Sequence, residues 1–292
     1  MKLTKNTNIL IVGLGVIGGG YAQALTKRGY TVSCITLEQS AVDYAMERGM
    51  IARGSTQVDP ALVGAADLVI FALYPHTFIA WIEQYQSLFK PGAILTDVTG
   101  VKGSVVETVQ GMLRSDVEFI AAHPMAGRER SGLEYSDDKV FLGANYIVTP
   151  THRNTPEAIA LCCELGHLLG FARVTELTPE AHDEMIAFLS QLTHCIAVSL
   201  MTCNDAPGLE SYTGDSFRDL TRIAKINDEM WSELFLLNRE PLLRQMDLFS
   251  KEFARLRQMI SDGDREGMRE MMRTSTARRA LFDKPVKKAS NE

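Results

Sequence analysis

The sequence predicts an α/β protein: a Rossmann-type parallel-sheet domain at the N-terminus, followed by an all-α domain at the C-terminus. Three observations carry this. From Asn8 to about Leu177, short β-rich runs alternate with helical patterns, as parallel strands joined by crossover helices require. After Thr178 the β signal stops and only helical patterns remain. Between the first β-rich run and the first helix lies Gly13-Leu14-Gly15-Val16-Ile17-Gly18, the spacing and context of a phosphate-cradling turn. The expected division is therefore 1–177 and 178–292.

The first strand is expected over Asn8 to Gly13, and the helix opened by the glycines should run to about Arg28. Later strands are expected at Thr31 to Thr36, Asp67 to Ala72, Ala93 to Asp97, Glu118 to His123, Asn145 to Thr149 and Arg173 to Leu177. Several end in small or polar residues, which matters because ligands of open α/β sheets bind beyond the carboxyl ends of the strands. Helices are expected over Pro179 to Cys203, Asp215 to Lys225 and Asp228 to Leu237, then in long stretches to about Phe282, with a frayed polar tail from Lys284 to Glu292.

Composition narrows the function classes. The 292 residues, 46% hydrophobic and 23% charged, suffice for two cores. A net charge of -6 argues against nucleic acid, whose phosphates call for clustered cations. The five cysteines form no CxxC or Cys/His metal spacing and read as reduced core thiols, so no metal is expected. Met1 to Asn8 carries two lysines but leads into a short β-like run, not a secretory h-region. No uninterrupted apolar run approaches the roughly 18 residues of a membrane span. The expectation is a cytoplasmic protein without a membrane partner.

In the glycine loop, Gly13 allows the tight turn, Gly15 lets backbone approach a pyrophosphate, and Gly18 lets the helix pack close to the sheet. Leu14, Val16 and Ile17 complete the expected dinucleotide contact, together with Leu73 just beyond the Asp67 to Ala72 run. Thr36 stands where an NAD enzyme usually has an acid for the ribose hydroxyls, with Glu38 two residues on and no following Arg for a 2′-phosphate. NAD is the expected cofactor, with NADP open.

Two regions carry candidate chemistry. His123 ends a buried strand, where it suits either proton abstraction from a hydroxyl carbon losing hydride or a structural role. In the helical half, Arg218, Arg222 and Lys225 share one face of an expected helix. That face could grip a substrate carboxylate, or lie in solvent paired with Asp219 or Glu229. On the preceding helix, Ser190 and Gln191 sit beside His194, and His182 and Asp183 lie near its start. An apolar stripe there could bury His194 toward the cleft or leave it structural.

Taken jointly, five segments resemble the prephenate dehydrogenase family, which includes the arogenate and cyclohexadienyl dehydrogenases of tyrosine biosynthesis. They are Gly13 to Gly19, Asp97 to Lys102, His123 to Gly127, Pro179 to Asp183 and Phe217 to Ala224, in the family's order and approximate spacing. The resemblance implies that His123 is the catalytic histidine, Arg222 the substrate-carboxylate arginine and His194 a substrate-facing histidine. Where many members have a serine, this chain has Gly100, so Thr99 is the candidate for that hydroxyl; where many have a histidine, it has Gln191. The resemblance further implies oxidative decarboxylation of prephenate or arogenate, a small anionic substrate, and a homodimer built on the helical domain. The C-terminal end leaves no room for the chorismate mutase or ACT domain of some relatives. A β-hydroxyacid dehydrogenase is the competing enzyme class, although it would use a lysine on the first interdomain helix, where this chain has none. A catalytically silent NAD(P) sensor is the competing non-enzyme class.

Overall fold

The computed structural model describes residues 2–127 and 132–283; the expected frayed tail lies outside the described residues. The chain divides into two compact units, Met1–Leu242 and Leu243–Glu292. The first unit therefore holds helices beyond the expected boundary at 177/178.

Among the described residues the first unit contains two sheets. In the larger, β3-β2-β1-β4-β5-β6 lie side by side and parallel: β1 Ile9–Val12, β2 Val32–Ile35, β3 Arg53–Ser55, β4 Leu68–Phe71, β5 Ile94–Asp97 and β6 Glu118–Phe119. Both β1 and β4 are buried at every residue, as a sheet covered on both faces demands. Their aliphatic side chains feed two cores, one containing Ile11, Tyr21 and Leu25 and the other Val12, Phe71 and Phe78. β3 is an edge strand of Arg, Gly and Ser, and it carries no apolar pattern that could announce it. Strand order reverses between β1 and β4, which are paired Val12 to Phe71, so a crevice opens beyond their carboxyl ends.

The expected strand from Glu118 to His123 is broken. Glu118 and Ile120 still donate to Ala93 and Leu95, but the Ala122 N–H goes to the Asp97 side chain at 3.1 Å. The ladder stops there and the chain peels away as β7 (Ala121–Met125), which pairs antiparallel with β8 (Asn145–Thr149). β8 in turn pairs parallel with β9 (Arg173–Glu176). The expectation of one parallel sheet is thus corrected to a parallel sheet and a separate mixed one.

Helices α1 (Val16–Lys27), α2 (Gln39–Glu47), α3 (Pro60–Ala65), α4 (Pro75–Tyr85) and α5 (Gly103–Met112) follow β1 to β5 in turn, and α6 (Pro156–Leu169) follows β8. The expected helix from Pro179 is one helical run made of α7 (Pro179–Ile186), a wide π turn (Ala187–Leu192) and α8 (Thr193–Thr202). An 18-residue window of Pro179–Thr202 has a mean hydropathy of 1.5, with 28% of it buried, so by length and composition alone this helix is apolar enough to cross a membrane. The stretch is interrupted by Ser190, Gln191, Thr193 and His194, so it is not the uninterrupted apolar run whose absence the sequence predicts. The expected helix Asp215 to Lys225 ends early, as α9 (Asp215–Thr221), and passes into a 3-10 turn over Arg222–Ala224. α10 (Asp228–Leu237) begins where Asn227 accepts from Met230 N at 2.9 Å, as expected of a cap. The cysteines are free, but only Cys34 and Cys162 are buried; Cys163 and Cys195 are half-buried and Cys203 is exposed, which corrects the picture of five core thiols.

The second unit holds most of α11 (Arg239–Asp262) and all of α12 (Arg265–Ala280), joined at Gly263 and capped by Asp264. Met246, Phe249, Phe253 and Ile260 of α11 are exposed. Their spacings of three, four and seven residues place them on one face.

Candidate active site

The glycine loop lies at the crevice. Gly13 adopts φ +94°, and a Cβ there would stand 2.4 Å from the Ala72 carbonyl oxygen and 2.8 Å from Leu73 Cδ2. A Cβ on Gly18 would stand 2.1 Å from the Gly13 carbonyl oxygen. These two glycines close the turn against the strand ends. Gly15 is different: it is exposed, and a Cβ there would meet nothing within 4 Å. Open space therefore faces the start of α1, where first-turn N–H groups have no helical acceptor. Leu14 is buried and Val16 and Ile17 half-buried, so this loop meets a ligand through backbone. A dinucleotide pyrophosphate fits such a cradle. Thr36 is half-buried just past β2, its N–H bonded to Ser55 O at 3.0 Å.

Beneath the loop that follows β5 lies a buried ion pair. Lys102 Nζ donates to Asp97 Oδ2 at 2.6 Å, Ala122 O at 2.6 Å and Thr99 Oγ1 at 3.1 Å, which occupies all three of its protons. Both charged side chains are fully buried. Burial pushes the Lys102 pKa down while Asp97 opposes the shift. Thr99 donates its hydroxyl proton to Asp97, with the Val101 carbonyl 3.0 Å away. Its hydroxyl is therefore spent inside this network and does not replace a substrate-facing serine, which corrects the expected role of Thr99. It is Gly100 that faces His123, since a Cβ there would lie 4.0 Å from His123 Cε1.

His123, in β7, is half-buried. Its Nδ1 lies 2.9 Å from His182 Nε2, and His182 Nδ1 lies 2.7 Å from Asp183 Oδ1. Asp183 accepts Lys102 N at 2.8 Å and Gly103 N at 2.7 Å, the opening N–H groups of α5. Burial, then the adjacent His182 and Lys102, hold the His123 pKa well below the ordinary histidine value. His182 is fully buried, and burial also lowers its pKa, opposed by Asp183. A half-buried imidazole kept neutral can accept a proton.

α10 forms the adjoining wall. Leu234 would touch a Cβ on Gly100 at 3.5 Å. One turn earlier, Trp231 stacks on His194 with centroids 3.7 Å apart, while His194 Nδ1 donates to Ser190 O at 2.9 Å. Gln191 is buried, donating to Leu234 O at 2.9 Å and accepting from Asn238 at 2.7 Å. With both amide ends tied, Gln191 fastens the π turn to α10, so its expected place beside substrate is corrected. Arg222 is exposed on the 3-10 turn, which packs against α8, the helix of His194. Because α9 ends at Thr221, the expected single cationic face is interrupted. Arg218 pairs with Asp215 at 3.5 Å and, with Lys225, lines a groove that also holds Met201, Glu210 and Phe217.

Asp97, Lys102, His182 and Asp183 had no assigned role from sequence alone. A signal existed for two of them: an Asp and a Lys five residues apart at the end of an apolar strand need each other if both are buried.

Comparison with known proteins identifies the family. The family described as prephenate dehydrogenase, nucleotide-binding domain, matches residues 21–175, starting just after the glycine loop. The family described as prephenate dehydrogenase, dimerization domain, matches residues 178–274. The chain is 29% identical over 284 residues to the prephenate dehydrogenase of Bacillus subtilis, covering 94% of this chain and 76% of that protein. It is 29% identical over 289 residues to the cyclohexadienyl dehydrogenase of Zymomonas mobilis, covering 96% and 97%. Among solved structures it is similar to a prephenate dehydrogenase from A. aeolicus in complex with hydroxyphenyl propionate and NAD+, with TM-score 0.88, 29% identity and coverage of 97% and 100%. With one family domain over residues 21–175, which carry most of the strands and His123, and the other over the helices that carry His182 and His194, the chain belongs to the prephenate dehydrogenase family.

Proposed function

We propose that the protein catalyses oxidative decarboxylation of prephenate to 4-hydroxyphenylpyruvate, or of arogenate to tyrosine, with NAD as the preferred cofactor and NADP as the alternative. The observation that carries this is His123, a neutral imidazole whose Nδ1 is already engaged and whose ring remains partly accessible. The Gly13 to Gly18 loop, with Thr36 and Leu73 beside it, would hold NAD, which would supply the hydride acceptor. His123 takes the proton of the ring hydroxyl as the carbinol carbon loses hydride. The ring carboxylate leaves as CO2, and aromatisation drives the step, so the residues chiefly position and polarise. Arg222 holds a substrate carboxylate, and His194, held against Trp231, faces the substrate's other end.

We place the enzyme in the cytoplasm as a homodimer. The apolar face of α11 and the exposed part of Pro179–Thr202 are surfaces that a second copy would cover, in keeping with the dimerization-domain match. Purified protein should be assayed with prephenate and arogenate, each crossed with NAD and NADP, following the absorbance of reduced nicotinamide. Turnover in none of the four mixtures would sink the assignment. His123→Asn should lower kcat by about 10²- to 10⁴-fold with cofactor affinity unchanged; near-normal kcat would remove His123 as the base.

A further inference from the structure

We propose that His182 and Asp183 are positioning residues that lock His123 in the one tautomer whose Nε2 can receive the substrate's proton, an inference that rests on the function proposed above. It begins at α5. The Asp183 carboxylate is pinned by two backbone donors, Lys102 N at 2.8 Å and Gly103 N at 2.7 Å. Its main chain is pinned as well, since Asn238 Nδ2 donates to Asp183 O at 2.9 Å. A carboxylate only accepts, so at 2.7 Å the His182 Nδ1 must carry the proton. A neutral imidazole has one N–H, which leaves His182 Nε2 as an acceptor. His123 Nδ1, 2.9 Å away, must then be the donor. The lone pair of neutral His123 is thereby assigned to Nε2.

The opposite polarity requires a doubly protonated His182. Its ring is fully buried and close to the Lys102 ammonium, and together these lower its pKa against the pull of Asp183. The titratable groups facing the pair are Lys102 before α5, Asp97 on β5, and His182 and Asp183 on α7. After proton capture the His123 Nδ1 proton can move to His182 Nε2, which brings the positive charge beside the Asp183 carboxylate. No proton is gained or lost in that transfer.

A purely structural pair would only dock α7 onto the start of α5. The two roles separate by measurement. In wild-type protein with ¹⁵N-labelled histidine near neutral pH, NMR should show His123 protonated at Nδ1 and bare at Nε2; the reverse tautomer overturns the proposal whether or not either substrate is turned over. His182→Leu removes the acceptor, so kcat should fall on the order of 10²-fold while the KM values for substrate and cofactor stay within about twofold. The acid limb of the kcat/KM profile should also move, because the acceptor that shares the proton taken up by His123 is gone. His182→Gln can still accept through its amide oxygen and should recover most of kcat. If His182→Leu does not fold, the NMR tautomer and His182→Gln decide the matter. Equal kcat in wild type and His182→Leu, with an unmoved acid limb, overturns the proposal while leaving the dehydrogenase assignment intact.

Discussion

Replacing Lys102 with methionine should unfold the protein at a much lower urea concentration, because it strands a buried carboxylate. Asp97 and Lys102 are both fully buried and meet at 2.6 Å. Removing one partner of such a pair costs about 3–5 kcal/mol, since the remaining charge keeps its desolvation penalty and loses its compensation. The Ala122 carbonyl, now receiving Lys102 Nζ at 2.6 Å, also loses a donor, adding about 1 kcal/mol. The loss is a large share of a typical total stability of about 5–15 kcal/mol. The control is Lys27, whose 2.6 Å pair with Asp138 is open to water, with the lysine side chain 59% exposed; Lys27→Met should cost under about 1 kcal/mol. Urea unfolding of the three proteins at one fixed concentration, so that subunit association is constant, measures both. If Lys102→Met falls within about 1 kcal/mol of wild type, the pair is not a buried, dry contact.

Gly15→Ala should leave stability unchanged within about 0.5 kcal/mol yet weaken NAD binding, because its Cβ meets no protein atom but enters the cradle; Gly18→Ala should lose stability as well, and calorimetric titration beside thermal unfolding separates the two. Arg222→Ala should reduce kcat/KM by the equivalent of about 2–5 kcal/mol, chiefly through KM, with Arg222→Lys recovering only part; a loss below about threefold would place the carboxylate elsewhere. Stability should decline as pH falls below about 6.5, because the unfolded chain then protonates imidazoles that burial keeps neutral at His123 and His182 in the fold. Above that pH both states are neutral and the two histidines contribute no slope. Urea midpoints between pH 5 and 8 read this, and His182→Gln should flatten the slope.

The alternation of β-rich and helical runs and the Gly13 to Gly18 turn were legible in the sequence, because each depends on local periodicity or on a residue type that only one backbone geometry accommodates; His123, expected at the end of a strand, lies inside β7 instead. α10 was expected from Asp228 to Leu237 and is found there, since its cap and its apolar spacing are local signals. What only the tertiary structure decided is where long-range hydrogen bonds win. The Asp97 side chain intercepts Ala122 N, splits one expected strand into two and turns His123 out of the parallel sheet. Thr99 and Gln191, both plausible substrate contacts by position, are claimed by Asp97 and Lys102 in one case and by Leu234 and Asn238 in the other. His182 and Asp183, 59 and 60 residues beyond His123, complete its hydrogen-bonded chain. A side-chain hydroxyl, amide or imidazole has several partners it could satisfy, and which of them is within 3 Å is settled by packing between segments far apart in the chain, not by the residues beside it.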